Sequence, residues 1–292
     1  MNHFSRFISF ICLFAILHCT TKNETPTPTI TEVAPWCILG FDALDRTPEE
    51  RIDMLKTMGF KEYGYNRGNG NFLTMKEEFQ LAQNNDININ SIFLWLNAKR
   101  DSLGKFSPSN QLMLDNLKAI DQKPTIWVSF SDNFFEDLSQ EASVQRAVDM
   151  LQFVKQTADE VGCPLALYNH HGWFGNPHHQ VEILEQLNMD DLTMVYNFHH
   201  AHDYIDEFPE VAKKIIPYLS HVTLNGMRKD GPQIYPLGQG EHELDMIKAL
   251  LDAGYEGTWG ILGHVKTEDV QLILQENMIG LDSLNHQLLK AI

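Results

Sequence analysis

Histidine is the residue type that first asks for a chemical explanation in this chain of 292 residues, because seven of its thirteen histidines fall between positions 170 and 202. Imidazole titrates near neutrality and ligates divalent metals, so such crowding points to acid–base or metal chemistry. The histidines follow short apolar runs: Leu165-Ala166-Leu167-Tyr168-Asn169-His170-His171, Met194-Val195-Tyr196-Asn197-Phe198-His199-His200 and Gly260-Ile261-Leu262-Gly263-His264. A fourth run ends Thr223-Leu224-Asn225. His170, His200 and His264 are the candidate reactive imidazoles, the first two as acid–base groups and all three as a metal-ligating set. Tyr168, Asn169, Asn197 and Asn225 can orient a polar ligand by hydrogen bonds, and Trp173 and Phe174 can stack against its apolar face. Glu241 or Asp203 can bring a carboxylate from a loop. Surface scatter is the simpler reading for His178, His179, His221 and His242. His171, His199 and His202 stay open to either reading, and strand alternation does not decide which of His199 and His200 faces inward.

The elements that must position these groups alternate short apolar runs with amphipathic stretches, the pattern of a parallel sheet covered by helices. Strands are expected at 37–43, 62–66, 89–96, 125–130, 165–170, 193–199, 221–225 and 258–262. Helix starts carry recognisable chemistry: Thr47-Pro48-Glu49-Glu50 combines an N-cap, a proline at the first helical position and a capping-box glutamate. The segment opening at Gly240-Glu241-His242-Glu243 carries an apolar stripe of Leu244, Ile247, Leu250 and Leu251 and stops at Gly254. The longest helix is expected over 139–161, and the last begins at 267–274. Eight such units predict an α/β fold, a single (β/α)8 barrel over residues 35–292. An open doubly wound sheet fits less well, since no GxGxxG joins a first strand to a helix. Barrel active sites sit at the C-terminal ends of the strands, where the histidines lie.

The N-terminus has a different composition. Arg6 precedes Phe7–Leu17, a run apolar apart from Ser9, too short to span a bilayer but suited to a signal sequence. Ile16-Leu17-His18-Cys19 resembles a lipobox, although His18 stands where a small residue is usual. Residues 1–19 are therefore expected to form a lipoprotein signal with Cys19 as the lipid anchor, the membrane being reached only through it. Residues 20–34, rich in Thr and Pro, would be the tether. Ordinary cleavage and release is the alternative. The chain is expected to be exported, as a periplasmic or outer-membrane lipoprotein of a bacterial envelope. Of the remaining cysteines, Cys37 and Cys163 are expected to be buried and free. The formal charge of −17, with basic residues scattered, argues against a nucleic-acid partner.

At its strand ends, and at Tyr235-Pro236-Leu237-Gly238-Gln239-Gly240-Glu241, the chain resembles the xylose-isomerase-like sugar isomerase/epimerase family, which also includes endonuclease IV. The resemblance implies a divalent metal held by carboxylates and histidine from strands five to eight, and proton transfer beside a carbonyl. The motifs depart from the family's where charge is needed. Tyr168-Asn169-His170 stands for Glu-Asn-His, and Asn197-Phe198-His199-His200 for Asp-x-x-His. The expected His and Asp are missing from Val222-Thr223-Leu224-Asn225, and a glutamate from Ile261-Leu262-Gly263-His264. A divalent metal, Zn or Mn, is the expected cofactor; amides and imidazoles hold a hard cation such as Mn weakly, whereas a softer site on His170, His200 and His264 could take Zn. The expected activity is isomerisation or epimerisation of an unphosphorylated extracytoplasmic carbohydrate. The alternative is a non-catalytic sugar-binding lipoprotein that has lost the metal-binding carboxylates. Phosphodiester hydrolysis lacks both the carboxylates and the basic channel it needs. All of this requires the imidazoles to converge at one barrel mouth.

Overall fold

The computed structural model describes residues 29–66 and 72–290. Cys19, the signal region and residues 20–28 of the expected tether lie outside them. Eight parallel strands form one sheet: β1 Ala34–Trp36, β2 Glu62–Tyr65, β3 Asn88–Leu96, β4 Thr125–Phe130, β5 Leu165–Tyr168, β6 Leu192–Asn197, β7 Leu219–Leu224 and β8 Thr258–Leu262. Their order, β1-β8-β7-β6-β5-β4-β3-β2, is that of a (β/α)8 barrel. Around it run α1 Pro48–Met58, α2 Met75–Asn84, α3 Pro108–Ala119, α4 Gln140–Val161, the single turn α5 Gly172–Gly175, α6 Pro177–Leu187, α7 Phe208–Ile215, α8 Glu243–Asp252 and α9 Val270–Lys290. No helix among the described residues is long and apolar enough to cross a membrane.

The helices start and stop where side chains satisfy their free backbone groups. Thr47 and Glu50 complete the capping box of α1, and Gly59 closes it in the left-handed conformation at φ 83°. Ser139 caps α4, which ends at Gly162. Strands then divide the apolar side chains between two cores. Ile92, Leu94 and Leu96 of β3 pack outward in the layer beneath the helices, while a second cluster, including Trp36, Trp127, Tyr168 and Leu262, fills the barrel itself.

The first unit corrects the sequence expectation. The strand is Ala34–Trp36, paired to β8 as Ala34↔Gly260 and Trp36↔Leu262, rather than residues 37–43. Cys37 and Gly40 both have positive φ, 58° and 70°, which no strand accommodates. The apolar run that suggested a strand is a loop that buries Ile38 and Leu39. The folded body also reaches back into the residues assigned to the tether: Ile30 is buried, and its N–H and C=O both bond the Asn285 side chain on α9, at 3.0 and 2.8 Å.

Between β1 and β2 the barrel lacks a strand ladder. Asn66 bridges this seam at the mouth: its Nδ2 donates to the Leu39 carbonyl at 2.6 Å and its Oδ1 accepts from the Leu39 N–H at 3.0 Å. Lower down, the Trp36 ring lies over Gly64, where an added Cβ would stand 2.2 Å from ring carbon Cε3. Gly64→Ala should therefore destabilise the protein by about 1–3 kcal/mol, because a rigid indole cannot retreat from an overpacked site. Chemical denaturation checks this; an unchanged midpoint would contradict the packing of the seam.

Candidate functional site

The mouth of the barrel holds a cavity of about 280 Å³. Trp36, Phe41, Phe93 and Trp95 form its aromatic lining, and Cys37, Asn66, Tyr168, Asn197, His170, His199, His200 and His264 complete it. Phe93 and Trp95 are there because they alternate with the outward-packed Ile92, Leu94 and Leu96 along β3. A larger space of about 980 Å³ opens at the opposite end, beside Val33, Lys61 and Glu256. His221 is the only histidine lining it, and barrel chemistry belongs to the strand C-termini, so the mouth is the candidate site.

Tyr168 forms the floor. Its hydroxyl accepts from Trp36 Nε1 at 3.2 Å and from Asn197 Nδ2 at 2.6 Å. Burial pushes the phenol well above its ordinary pKa, so it stays uncharged. Asn197 is committed elsewhere too, its Oδ1 accepting from the His199 N–H at 3.1 Å. That bond caps the 3₁₀ turn Phe198–His200 ending β6. The turn answers the question that alternation left open: both His199 and His200 line the cavity.

The imidazoles form one continuous cluster. His170 and His171 have ring centroids 4.3 Å apart, and each lies 4.5 Å from His200. His199 is 4.4 Å from His200 and 5.2 Å from His264, whose ring lies 3.8 Å from Phe41. Burial, followed by the neighbouring imidazoles, lowers His170 to about 3 and His199 to about 4. The same causes hold His200 well below its usual value, and burial lowers His264 and His202. At neutral pH the lining imidazoles are therefore uncharged. Among the described residues no Asp, Glu, Lys or Arg lines the cavity.

The structure brings His170, His200, His264, Tyr168 and Asn197 together, as the sequence suggested, and sorts the other candidates differently. The ring nitrogens within 4.8 Å of one another belong to His170, His171 and His200, whereas His264, expected beside His170 and His200, lies against Phe41 and His199. Asn169 braces β5 to β6 instead of facing a ligand, its Oδ1 accepting from the Asn197 N–H at 2.7 Å and its Nδ2 donating to the Asn197 carbonyl at 3.2 Å. Asn225 is buried and does not line the cavity; its Nδ2 donates to the carbonyls of Gly226 and Gln233. Trp173 turns away to pack on Phe135 and His179, each at 4.5 Å, and Phe174 is buried against Phe130. Glu241 is exposed and paired with Arg228 at 2.6 Å, so it is held outside the cavity. Asp203 lines a smaller recess beside His200 and His202. His221, taken for a surface residue, is half-buried in the barrel floor 5.3 Å from Trp127, because its strand position points inward.

The carboxylate metal centre of the resemblance does not fit this mouth. A hard cation needs anionic oxygen, and the positions expected to supply it hold a neutral phenol and an amide, both already hydrogen-bonded.

The family model for xylose isomerase-like TIM barrels matches residues 85–276, and the chain belongs to that family. No curated protein matches the sequence. Among solved structures, an L-ribulose 3-epimerase superposes with a TM-score of 0.68 at 12% identity, covering 88% of this chain and 97% of its own. A D-psicose 3-epimerase from Clostridium cellulolyticum, solved with D-tagatose, gives 0.64 at 15% identity, covering 88% and 99%. The IOLI protein, solved with a bound zinc atom, gives 0.66 at 14% identity, covering 87% and 99%. At these identities the likeness is one of fold.

The His221 environment predicts a pH dependence of stability. Burial lowers its folded pKa to about 4, while the unfolded chain has the ordinary value of about 6.5. Between those values the unfolded state takes a proton that the folded state refuses. The stability present above about pH 6.5 is thus lost as pH falls toward about 4. In His221→Gln the loss of melting temperature between about pH 7 and about pH 4.5 should be smaller than in the parent protein. Equal pH profiles would contradict the buried, uncharged ring.

Proposed function

We propose that this protein is a sugar isomerase/epimerase-like barrel acting on an unphosphorylated, extracytoplasmic carbohydrate by proton transfer beside a carbonyl. The carrying observation is the mouth cavity itself, aromatic on the residues from β1 and β3 and lined with imidazole and amide groups from β2, β5, β6 and β8. Aromatic faces suit the C–H surface of a sugar, and imidazoles and amides suit its hydroxyls. The described lining residues include no Lys or Arg, which favours an unphosphorylated substrate, since phosphate recognition relies on such cations. The cavity is close to the lower end of the roughly 300–1,000 Å³ spanned by small-ligand sites, a size for a monosaccharide.

Imidazoles carry the proton in this reading. His170 and His200 are the groups assigned from sequence, and His199 and His264 share the cavity. A proton leaves the carbon beside the carbonyl for a ring nitrogen and returns to the neighbouring carbon or the opposite face. Tyr168 holds Asn197 and the floor in place. Cys19 supplies the envelope anchor proposed from the signal sequence.

A second reading, a non-catalytic sugar-binding lipoprotein, is favoured by one observation: imidazoles lowered to about 3 and about 4 are weak bases. Deuterium uptake from D₂O into a panel of unphosphorylated aldoses and ketoses, read by NMR beside a binding titration, separates the two. The enzyme reading expects uptake that falls ~100-fold in His200→Gln. Saturable binding without uptake supports the binder. Neither binding nor uptake across the panel would remove the carbohydrate proposal.

A further inference from the structure

His170, His171 and His200 carry a feature that sugar binding does not use. Their ring nitrogens all lie within 4.8 Å of one another, and among the described residues no other three His, Cys, Asp or Glu side chains do this. Their ring centroids form a near-equilateral triangle of 4.3, 4.5 and 4.5 Å. His170 and His200 each bury an Nδ1 atom that finds no hydrogen-bond partner among the protein groups. Buried polar atoms are ordinarily satisfied, and with His199 and His202 also carrying unpartnered ring nitrogens, the histidine cluster has several lone pairs to offer an occupant.

Placement agrees. The triangle lies between the mouth cavity and a recess of about 100 Å³, with His170 and His200 lining both and His171 lining the recess. Three nitrogens around one zinc at a bond length of about 2.05 Å stand about 3.3 Å apart. The ring nitrogens, within 4.8 Å of one another, must draw together as the rings reorient to reach that spacing. His171 follows a strand end and is exposed, so it is free to make that adjustment. The donors are all neutral nitrogen, which selects zinc over magnesium.

We propose that His170, His171 and His200 form a three-imidazole site for a zinc-type divalent cation, lying beyond the strand end and apart from the family's carboxylate centre. Its fourth position remains open toward the cavity and recess, the arrangement of a site that takes an exchangeable ligand. With an ion bound, His170 and His200 would serve as ligands, and the proton role that the sugar reading gives them would pass to His199 and His264. The site itself rests on the ring nitrogens and does not require a sugar to bind.

The test uses the full chain without an affinity tag, stripped of metal and titrated calorimetrically with zinc chloride and magnesium chloride, with cobalt as a visible-absorption probe. One zinc per chain, visible bands of four-coordinate cobalt and no saturable magnesium binding are expected. His171→Ala should weaken zinc at least ~30-fold, and His264→Ala by less than about threefold. Because His171 is exposed, its variant should match the parent in near-ultraviolet circular dichroism and in melting temperature with chelator present. Absence of stoichiometric zinc, equal losses in the two variants, or magnesium binding as tight as zinc would each overturn the site. Sugar binding to the metal-free chain is measured separately, so failure of the carbohydrate reading leaves the zinc result interpretable.

Discussion

The Tyr168 hydroxyl, accepting hydrogen bonds from Trp36 and Asn197, is the contact on which the mouth depends. It joins strands β1, β5 and β6 through neutral groups at the barrel axis. A carboxylate there would be a buried charge needing a counter-ion; a phenol needs only hydrogen-bond partners. Trp36 and Trp127, with ring centroids 4.3 Å apart, fill the space beneath. An aromatic floor follows, and over it imidazoles stay neutral because both desolvation and their neighbours disfavour protonation. Much of the chemistry left to this barrel comes from that exchange of charge for packing.

Seven of the eight strands were legible because parallel strands buried on both faces read as apolar runs. The first was misplaced since burial and strand geometry are different properties: Ile38 and Leu39 are apolar to cover the core from a loop, and the positive φ of Cys37 leaves no trace in composition. The aromatic lining on β3 was legible in principle. Phe93 and Trp95 alternate with Ile92, Leu94 and Leu96 on a strand whose position was expected correctly, and period two alone separates the faces. Residues just beyond strand ends were harder. Trp173, Asn225 and Glu241 were judged by proximity to strand ends, whereas their directions are set by partners in other segments, Phe135 and Gln140 for Trp173, and the neighbouring loop residues Gln233 for Asn225 and Arg228 for Glu241. His171 entered the cluster for a related reason, the chain bending after Tyr168 as the His170 N–H turns back to the Tyr168 carbonyl at 2.7 Å.

Fold and family thus come apart from activity here. The barrel is that of the xylose isomerase-like TIM barrel family, and the solved structures it resembles in fold include sugar epimerases. The donor set at the mouth is this chain's own, and function follows the site and not the scaffold. An acidic protein whose candidate site, among the described residues, has no charged lining is a physically distinct solution.

The central claim is that the mouth is a packed cluster of uncharged imidazoles. Nitrogen-15 NMR of labelled histidine reads it directly, ring by ring, with assignments from single His→Gln variants. The account predicts that His170, His199 and His200 remain neutral at about pH 6, where an ordinary histidine is largely protonated. Rings that titrate like free histidine near pH ~6.5 would mean a solvated, open mouth and would contradict it.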